Sequence, residues 1–131
     1  MAQLERTVLV VDDNQDIRNL VGHFLGSDGY LVFTASDGDE ALAILKNNVI
    51  NLVLLDVMMP GKSGIEVLKE IRNGSNKKIR GIPVMMITAK STTEDIDEAL
   101  MHGANSYIIK PFRGHLIREK VEAFFIPATN Q

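Results

Sequence analysis

The run Leu52-Val53-Leu54-Leu55 is apolar at every position and ends in an acid, Asp56. A strand with one wet face alternates apolar and polar residues. An uninterrupted apolar run instead suits a strand covered on both faces, as in a parallel sheet between two layers of helices. Asp56 then falls at the carboxyl end of that strand, the side on which open α/β sheets bind ligands, in the crevice where the strand order reverses. Met58 and Met59 lead into Pro60, which has no ladder donor, and Gly61, which permits a sharp turn. The strand stops there, and the acid opens a loop.

The rest of the chain repeats this plan. Thr7 to Val11 is a second β-branched apolar run, and it also ends in acid, at Asp12 and Asp13. Ile17, Leu20, Val21, Phe24 and Leu25 follow at helical spacing, with Asp16 in the first turn to complement the dipole and Gly26 to Gly29 closing the helix. Tyr30 to Ala35 reads as a short strand. Ser36 and Asp37 stand three residues before Asp39 and Glu40, the spacing of a capping box, ahead of a helix whose apolar side is Ala41, Leu42, Ile44 and Leu45 and which ends at Asn47 and Asn48. Ser63 with Glu66 starts a third helix, buried through Ile65, Leu68 and Ile71. Asn73 to Gly81 is polar and basic and reads as an exposed connection. Ile82 to Ile87 is a fourth strand that delivers Thr88 and Ala89 to the same edge as the acids. Ser91 with Glu94 caps a fourth helix ending near Gly103. Ser106 to Ile109 is the last strand, followed by Lys110-Pro111 and a fifth helix with Ile117, Val121, Phe124 and Phe125 turned inward. Strict β/α alternation predicts a parallel sheet flanked by five helices, in one domain over residues 1–131 with a core of about 6–126 and a short tail from Ile126 to Gln131.

Composition narrows the function classes. At 131 residues, 45% hydrophobic, 24% charged and a net charge of −3, neither a nucleic-acid surface nor a disordered acidic tail is indicated. There is no cysteine, hence no disulfide framework or thiolate metal site. Met1 to Arg6 carries no cleavage signal and no run reaches the ~18 apolar residues of a membrane span, so a cytoplasmic location without membrane insertion is expected.

Residues at the carboxyl ends of neighbouring parallel strands converge, which brings Asp12, Asp13, Asp56, Thr88 and Lys110 to one edge. Carboxylates ~5 Å apart repel by ~3 kcal/mol per pair at an effective dielectric of about 20, so the cluster calls for a cation or a raised pKa. An all-oxygen site of this kind suits Mg²⁺, which leaves room for phosphate oxygens; Lys110 adds a second positive charge and Thr88 a hydroxyl.

The ordered set Val10-Val11-Asp12-Asp13, Leu55-Asp56-Val57-Met58-Met59-Pro60-Gly61, Ile87-Thr88-Ala89, Gly103-Ala104-Asn105-Ser106-Tyr107 and Lys110-Pro111-Phe112 resembles a response-regulator receiver domain of two-component signalling, similar to the single-domain chemotaxis type. The resemblance spans nearly the whole chain. It implies a flavodoxin-like, doubly wound sheet of order 2-1-3-4-5. It implies that Asp56 accepts a phosphoryl group from a phosphohistidine on a partner histidine kinase or phosphotransfer protein. Asp13 would contact Mg²⁺ directly, Asp12 mostly through water, with the Met58 carbonyl as a further ligand. Thr88 and Tyr107 would relay the change to a target-binding face of the fourth helix, fifth strand and fifth helix. Base rates favour a trans Lys110-Pro111 bond, cis being about 5–6% of X-Pro bonds in folded proteins; the resemblance implies cis.

Singly, each polar residue has a plainer reading: Asp12 or Asp13 as a helix N-cap, Asp56 as a loop cap, Thr88 as an ordinary strand end, Lys110 as a solvated lysine. Together at four strand ends they favour a site. His23, His102 and His115 lack metal spacing and are assigned no role, and no glycine-rich nucleotide loop is present. Two other classes stay in view. A Mg²⁺-dependent phosphatase working through an aspartyl phosphate would want an acid two residues after the nucleophile, where Met58 stands. A flavodoxin-like cofactor module would want Ser, Thr and Gly where Asp12-Asp13-Asn14 stands. Met58 and Lys90 are expected to flank the phosphoryl group and to slow its hydrolysis. Arg113-Gly114-His115 lacks the acids common there in relatives, so no target identity carries over.

Overall fold

A computed structural model describes residues 6–125. The expected tail from Ile126 and the segment Met1 to Glu5 lie outside the described residues. The elements run β1 (Thr7–Val11), α1 (Gln15–Ser27), β2 (Leu31–Ala35), α2 (Gly38–Asn47), β3 (Leu52–Leu55), α3 (Gly64–Asn73), α4 (Lys77–Arg80), β4 (Val84–Thr88), α5 (Thr93–Met101), β5 (Ser106–Ile109) and α6 (Gly114–Phe125). All pairings are parallel, in the order β2-β1-β3-β4-β5.

The three central strands are buried at every residue, as their unbroken apolar runs require. Alternate side chains supply two cores. Leu9, Val11, Val53, Leu55, Val84 and Met86 pack against α2, α3 and Ala99 of α5. Val8, Val10, Leu52, Leu54, Met85 and Ile87 pack against Val21 and Leu25 of α1 and Ile117 and Val121 of α6. No helix among the described residues is long and apolar enough to cross a membrane.

Several local expectations need correction. The connection Asn73 to Gly81 is not simply a loop. Asn76 caps the short α4 by accepting from the Lys78 and Ile79 N–H groups, so the described residues hold six helices where five were expected, and Ile79 packs partly onto the core. The expected fourth and fifth helices are therefore α5 and α6. The cap of α5 is Thr92 with Asp95, one residue beyond Ser91 and Glu94; both pairs have the capping-box spacing. Asp37 caps α2, but the return bond from Glu40 goes to Ser36 rather than to the cap itself. Leu20 of α1 is exposed rather than buried. β4 begins at Val84, after Pro83. The Lys110-Pro111 bond is cis, as the resemblance implied and against the base rate.

Candidate functional site

Asp12 and Asp56 are each the first residue past a strand, and the ladder still holds their backbones: Asp12 N–H donates to Ala35 O (3.1 Å) and Asp56 N–H to Val11 O (3.0 Å). β1 and β3 are neighbours, so the two acids lie side by side at the carboxyl edge. Both are almost fully buried, at 2% and 5% exposure, while Asp13 beside them is exposed. One carboxylate oxygen from each of Asp12, Asp13 and Asp56 falls within 4.8 Å of the others.

Lys110 reaches this cluster from the end of β5. Its Nζ donates to Asp12 Oδ2 at 2.7 Å and to Asp56 Oδ2 at 2.9 Å. The other oxygens are met locally: Asn14 N–H donates to Asp12 Oδ1 (2.9 Å) and Met58 N–H to Asp56 Oδ1 (3.0 Å). Burial pushes the Asp12 carboxyl above its ordinary value, more than the Lys110 and Asn14 hydrogen bonds pull it down, and the Asp56 charge adds to the rise. Burial opposes the charge of Lys110, yet the hydrogen bonds it donates to Asp12 and Asp56 together hold its ammonium above the usual range.

The N-cap of α1 is Asn14, whose Oδ1 accepts from Asp16 and Ile17. This removes the cap reading for Asp12 and Asp13 and leaves their carboxylates for the edge. Thr88, fully buried at the end of β4, accepts a long bond from Lys90 N–H at its Oγ1 (3.3 Å). The Tyr107 hydroxyl donates to the carbonyl of the same Lys90 at 2.8 Å, so Thr88 and Tyr107 hold the two ends of one residue's backbone. Burial, more than the nearby acids Asp95 and Asp56, raises the Tyr107 pKa. Met58 and Lys90 both line an open cleft of about 660 Å³ that also includes Asp13 and Glu98.

Three supporting residues escaped the sequence reading. Arg18 donates from its guanidinium to the Asp12 carbonyl at 2.7 Å. Gly64 packs so closely on the loop after Asp56 that a Cβ would collide with the Asp56 carbonyl oxygen, while its N–H donates to Val57 O. Lys62 of the same loop pairs with Asp39 of α2 and Glu70 of α3. For Gly64 a signal was available, since glycine is a poor helix former at a position that a cap would otherwise fill with alanine or glutamate. The Arg18 and Lys62 contacts leave no trace in the periodicity of either helix or strand.

The donor set suits a hard divalent cation: three carboxylates from two adjacent strand ends, one of them exposed to water, with a buried member whose charge is opposed by its surroundings.

The likeness to known proteins agrees with this geometry. The model of the response regulator receiver domain matches residues 8–122. The chemotaxis protein CheY-3 of Vibrio cholerae is 39% identical over 119 residues, covering 90% of this chain and 90% of that protein. The uncharacterized transcriptional regulatory protein YrkP of Bacillus subtilis is 41% identical over 116 residues, which are 88% of this chain and 48% of YrkP, so the chain spans about half of that relative's length. The solved structure of chemotaxis protein CheY4 from Vibrio cholerae superposes with a TM-score of 0.86 at 33% identity, covering 92% of this chain and 99% of that one. With the sheet order, the acid cluster and its lysine all in place, the chain belongs to the response regulator receiver domain family.

Proposed function

We propose that the chain is a phosphorylatable signalling switch in which Asp56 accepts a phosphoryl group from a phosphohistidine on a histidine kinase or phosphotransfer protein, in the cytoplasm. The observation that carries this reading is the Lys110 ammonium held between Asp12 and Asp56, with Asp56 at the mouth of the central strand. In the transfer, an Asp56 oxygen attacks phosphorus and the P–N bond breaks. Its electron pair returns to the imidazole, which takes a proton from solvent. Lys110 is positioned to give up part of its contact with Asp56 and pair with a phosphoryl oxygen, so its ammonium keeps an anionic partner as the negative charge moves to the phosphoryl group. Asp13, Asp56 and the Met58 carbonyl would hold Mg²⁺ directly and Asp12 through water; a bound cation supplies neutralisation of the phosphoryl oxygens.

The switch follows from the Lys90 backbone. If the Thr88 hydroxyl turns to donate to a phosphoryl oxygen, its long bond with Lys90 N–H is the contact it gives up. The loop that Tyr107 grips at the Lys90 carbonyl is then free to shift, and the tyrosine with it, which alters the face formed by α5, β5 and α6. We place the target-binding surface there. Met58, whose thioether is a weak acceptor, shields the phosphoryl group from water, and Lys90 pairs with one of its oxygens, so self-dephosphorylation is slow. A phosphatase in turnover fits less well, because Met58 stands where such an enzyme would need an acid.

Intact mass after incubation with acetyl phosphate and Mg²⁺ tests the reading. The wild type gains about 80 Da and Asp56→Asn gains nothing. Full labelling of Asp56→Asn would show that the acceptor lies elsewhere.

A further inference from the structure

Sulfur in this chain is carried by methionine alone, since there is no cysteine. The methionines divide sharply by environment. Met85 and Met86 of β4 are fully buried, Met59 is partly covered and packs against the core, while Met58 is 55% and Met101 83% exposed. Met101 sits at the end of α5, away from the acid cluster. Met58 does not. Its N–H is bonded to Asp56 Oδ1, and its side chain lines the open cleft with Asp13 and Lys90.

We infer that Met58 is an oxidation site through which peroxides shorten the life of the phosphorylated state. This rests on the reading of Asp56 as the phosphoryl acceptor. In the oxidation step the Met58 sulfur lone pair attacks one oxygen of a hydroperoxide and the O–O bond breaks. The departing oxygen takes the proton from the oxygen now on sulfur, leaving a sulfoxide and water or an alcohol. Sulfur loses two electrons and the peroxide gains them. The product alters the local chemistry in one direction. A thioether is an apolar body and a weak acceptor, whereas a sulfoxide oxygen is a strong, fixed acceptor. Placed two residues after Asp56 and open to solvent, it can hold the water that attacks phosphorus. That attack forms a P–O bond to water and breaks the bond to Asp56, whose carboxylate leaves with the electron pair as inorganic phosphate is released. Lys110 and the buried acids are untouched by the oxidation, so uptake of phosphate remains possible while its retention falls.

The test uses the whole chain, treated with hydrogen peroxide and mapped by peptide mass. Met58 and Met101 are expected to gain about 16 Da each well before Met85 and Met86. Oxidised and untreated samples are then phosphorylated with acetyl phosphate, and phosphate release is followed after its removal. Release from oxidised wild type is expected to be about 2- to 10-fold faster, the factor one hydrogen bond to the attacking water is worth. The same ratio is expected in Met101→Leu and a ratio of one in Met58→Leu. Treatment with methionine sulfoxide reductases returns the wild-type rate. An unchanged ratio in wild type whose Met58 is oxidised, or an acceleration that survives in Met58→Leu, overturns the inference and leaves the phosphorylation reading standing. Failure of the untreated protein to gain any phosphoryl adduct overturns both.

Discussion

The two edges of the sheet handle polar groups in opposite ways. At the amino edge Arg72 of α3 reaches across to the chain entering β4 and β5. It donates to Ile82 O (2.7 Å), Arg80 O (2.9 Å), Gly103 O (2.8 Å) and Asn105 Oδ1 (2.9 Å), and Asn105 Oδ1 also accepts from Val84 N–H. Nearby, Thr7 N–H donates to Asn51 Oδ1. Every acceptor there is neutral, and burial alone lowers the Arg72 pKa. At the carboxyl edge three carboxylates cluster, and the two buried ones share a single ammonium. No buried polar side-chain atom among the described residues lacks a partner at either edge. Buried side chains are therefore satisfied at both, and the difference is charge. The amino edge is a finished clamp, whereas the carboxyl edge keeps a negative excess that costs stability and suits it to receive a cation and a phosphoryl group.

Breaking the two edges should accordingly have different signatures. The largest effect is expected from Lys110→Met, which leaves Asp12 and Asp56 buried with no ammonium between them. It should lower stability by about 3 kcal/mol near neutral pH. Much of the loss should vanish on acidification as the acids protonate, and denaturant melts at two pH values would show whether it does. Arg72→Met comes next, at about 2 kcal/mol from carbonyls left without their donor. Because no carboxylate is involved at the clamp, that loss should be the same at both pH values, and phosphoryl uptake should persist. A pH-dependent loss in Arg72→Met would erase the distinction between the edges.

A smaller effect isolates Asp12. Its folded pKa is raised, so the folded state binds this proton more tightly than the unfolded one. The contribution is stabilising below the ordinary value of 3.8 and is lost as pH rises from there through the raised folded pKa. Asp12→Asn should remove that decline. The difference between wild-type and variant stability, measured across the acid range by urea titration, should therefore grow with pH and then level off. A flat difference would mean that Asp12 is not strained in the fold.

Much of this was legible in the residues, and the parts that were not share a cause. β1 and β5 were located residue for residue, because β-branched apolar runs between polar boundaries leave little freedom. The convergence of Asp12, Asp13, Asp56 and Lys110 followed from parallel strands ending at one edge. The α5 cap was misplaced by one residue because Ser91 and Thr92 carry equivalent local signals, each with an acid three residues on. The four-residue α4 was read as a loop because a single turn has no periodicity to display; its cap, Asn76, is a polar residue of the kind loops also contain. Arg72 was invisible as a clamp, since its partners at Gly103 and Asn105 stand 31 and 33 residues away and most are backbone carbonyls. Sequence spacing reports which residues share an element or an edge. It does not report which long side chain crosses between them.

The most direct test of the charge excess is scanning calorimetry of the unphosphorylated wild type with and without Mg²⁺. If the carboxyl edge holds a negative surplus suited to a divalent cation, Mg²⁺ at about ten times its dissociation constant should raise Tm by about 4 °C. The rise should shrink sharply in Asp13→Asn. A wild-type Tm that does not move with Mg²⁺, or that moves equally in Asp13→Asn, would contradict the account.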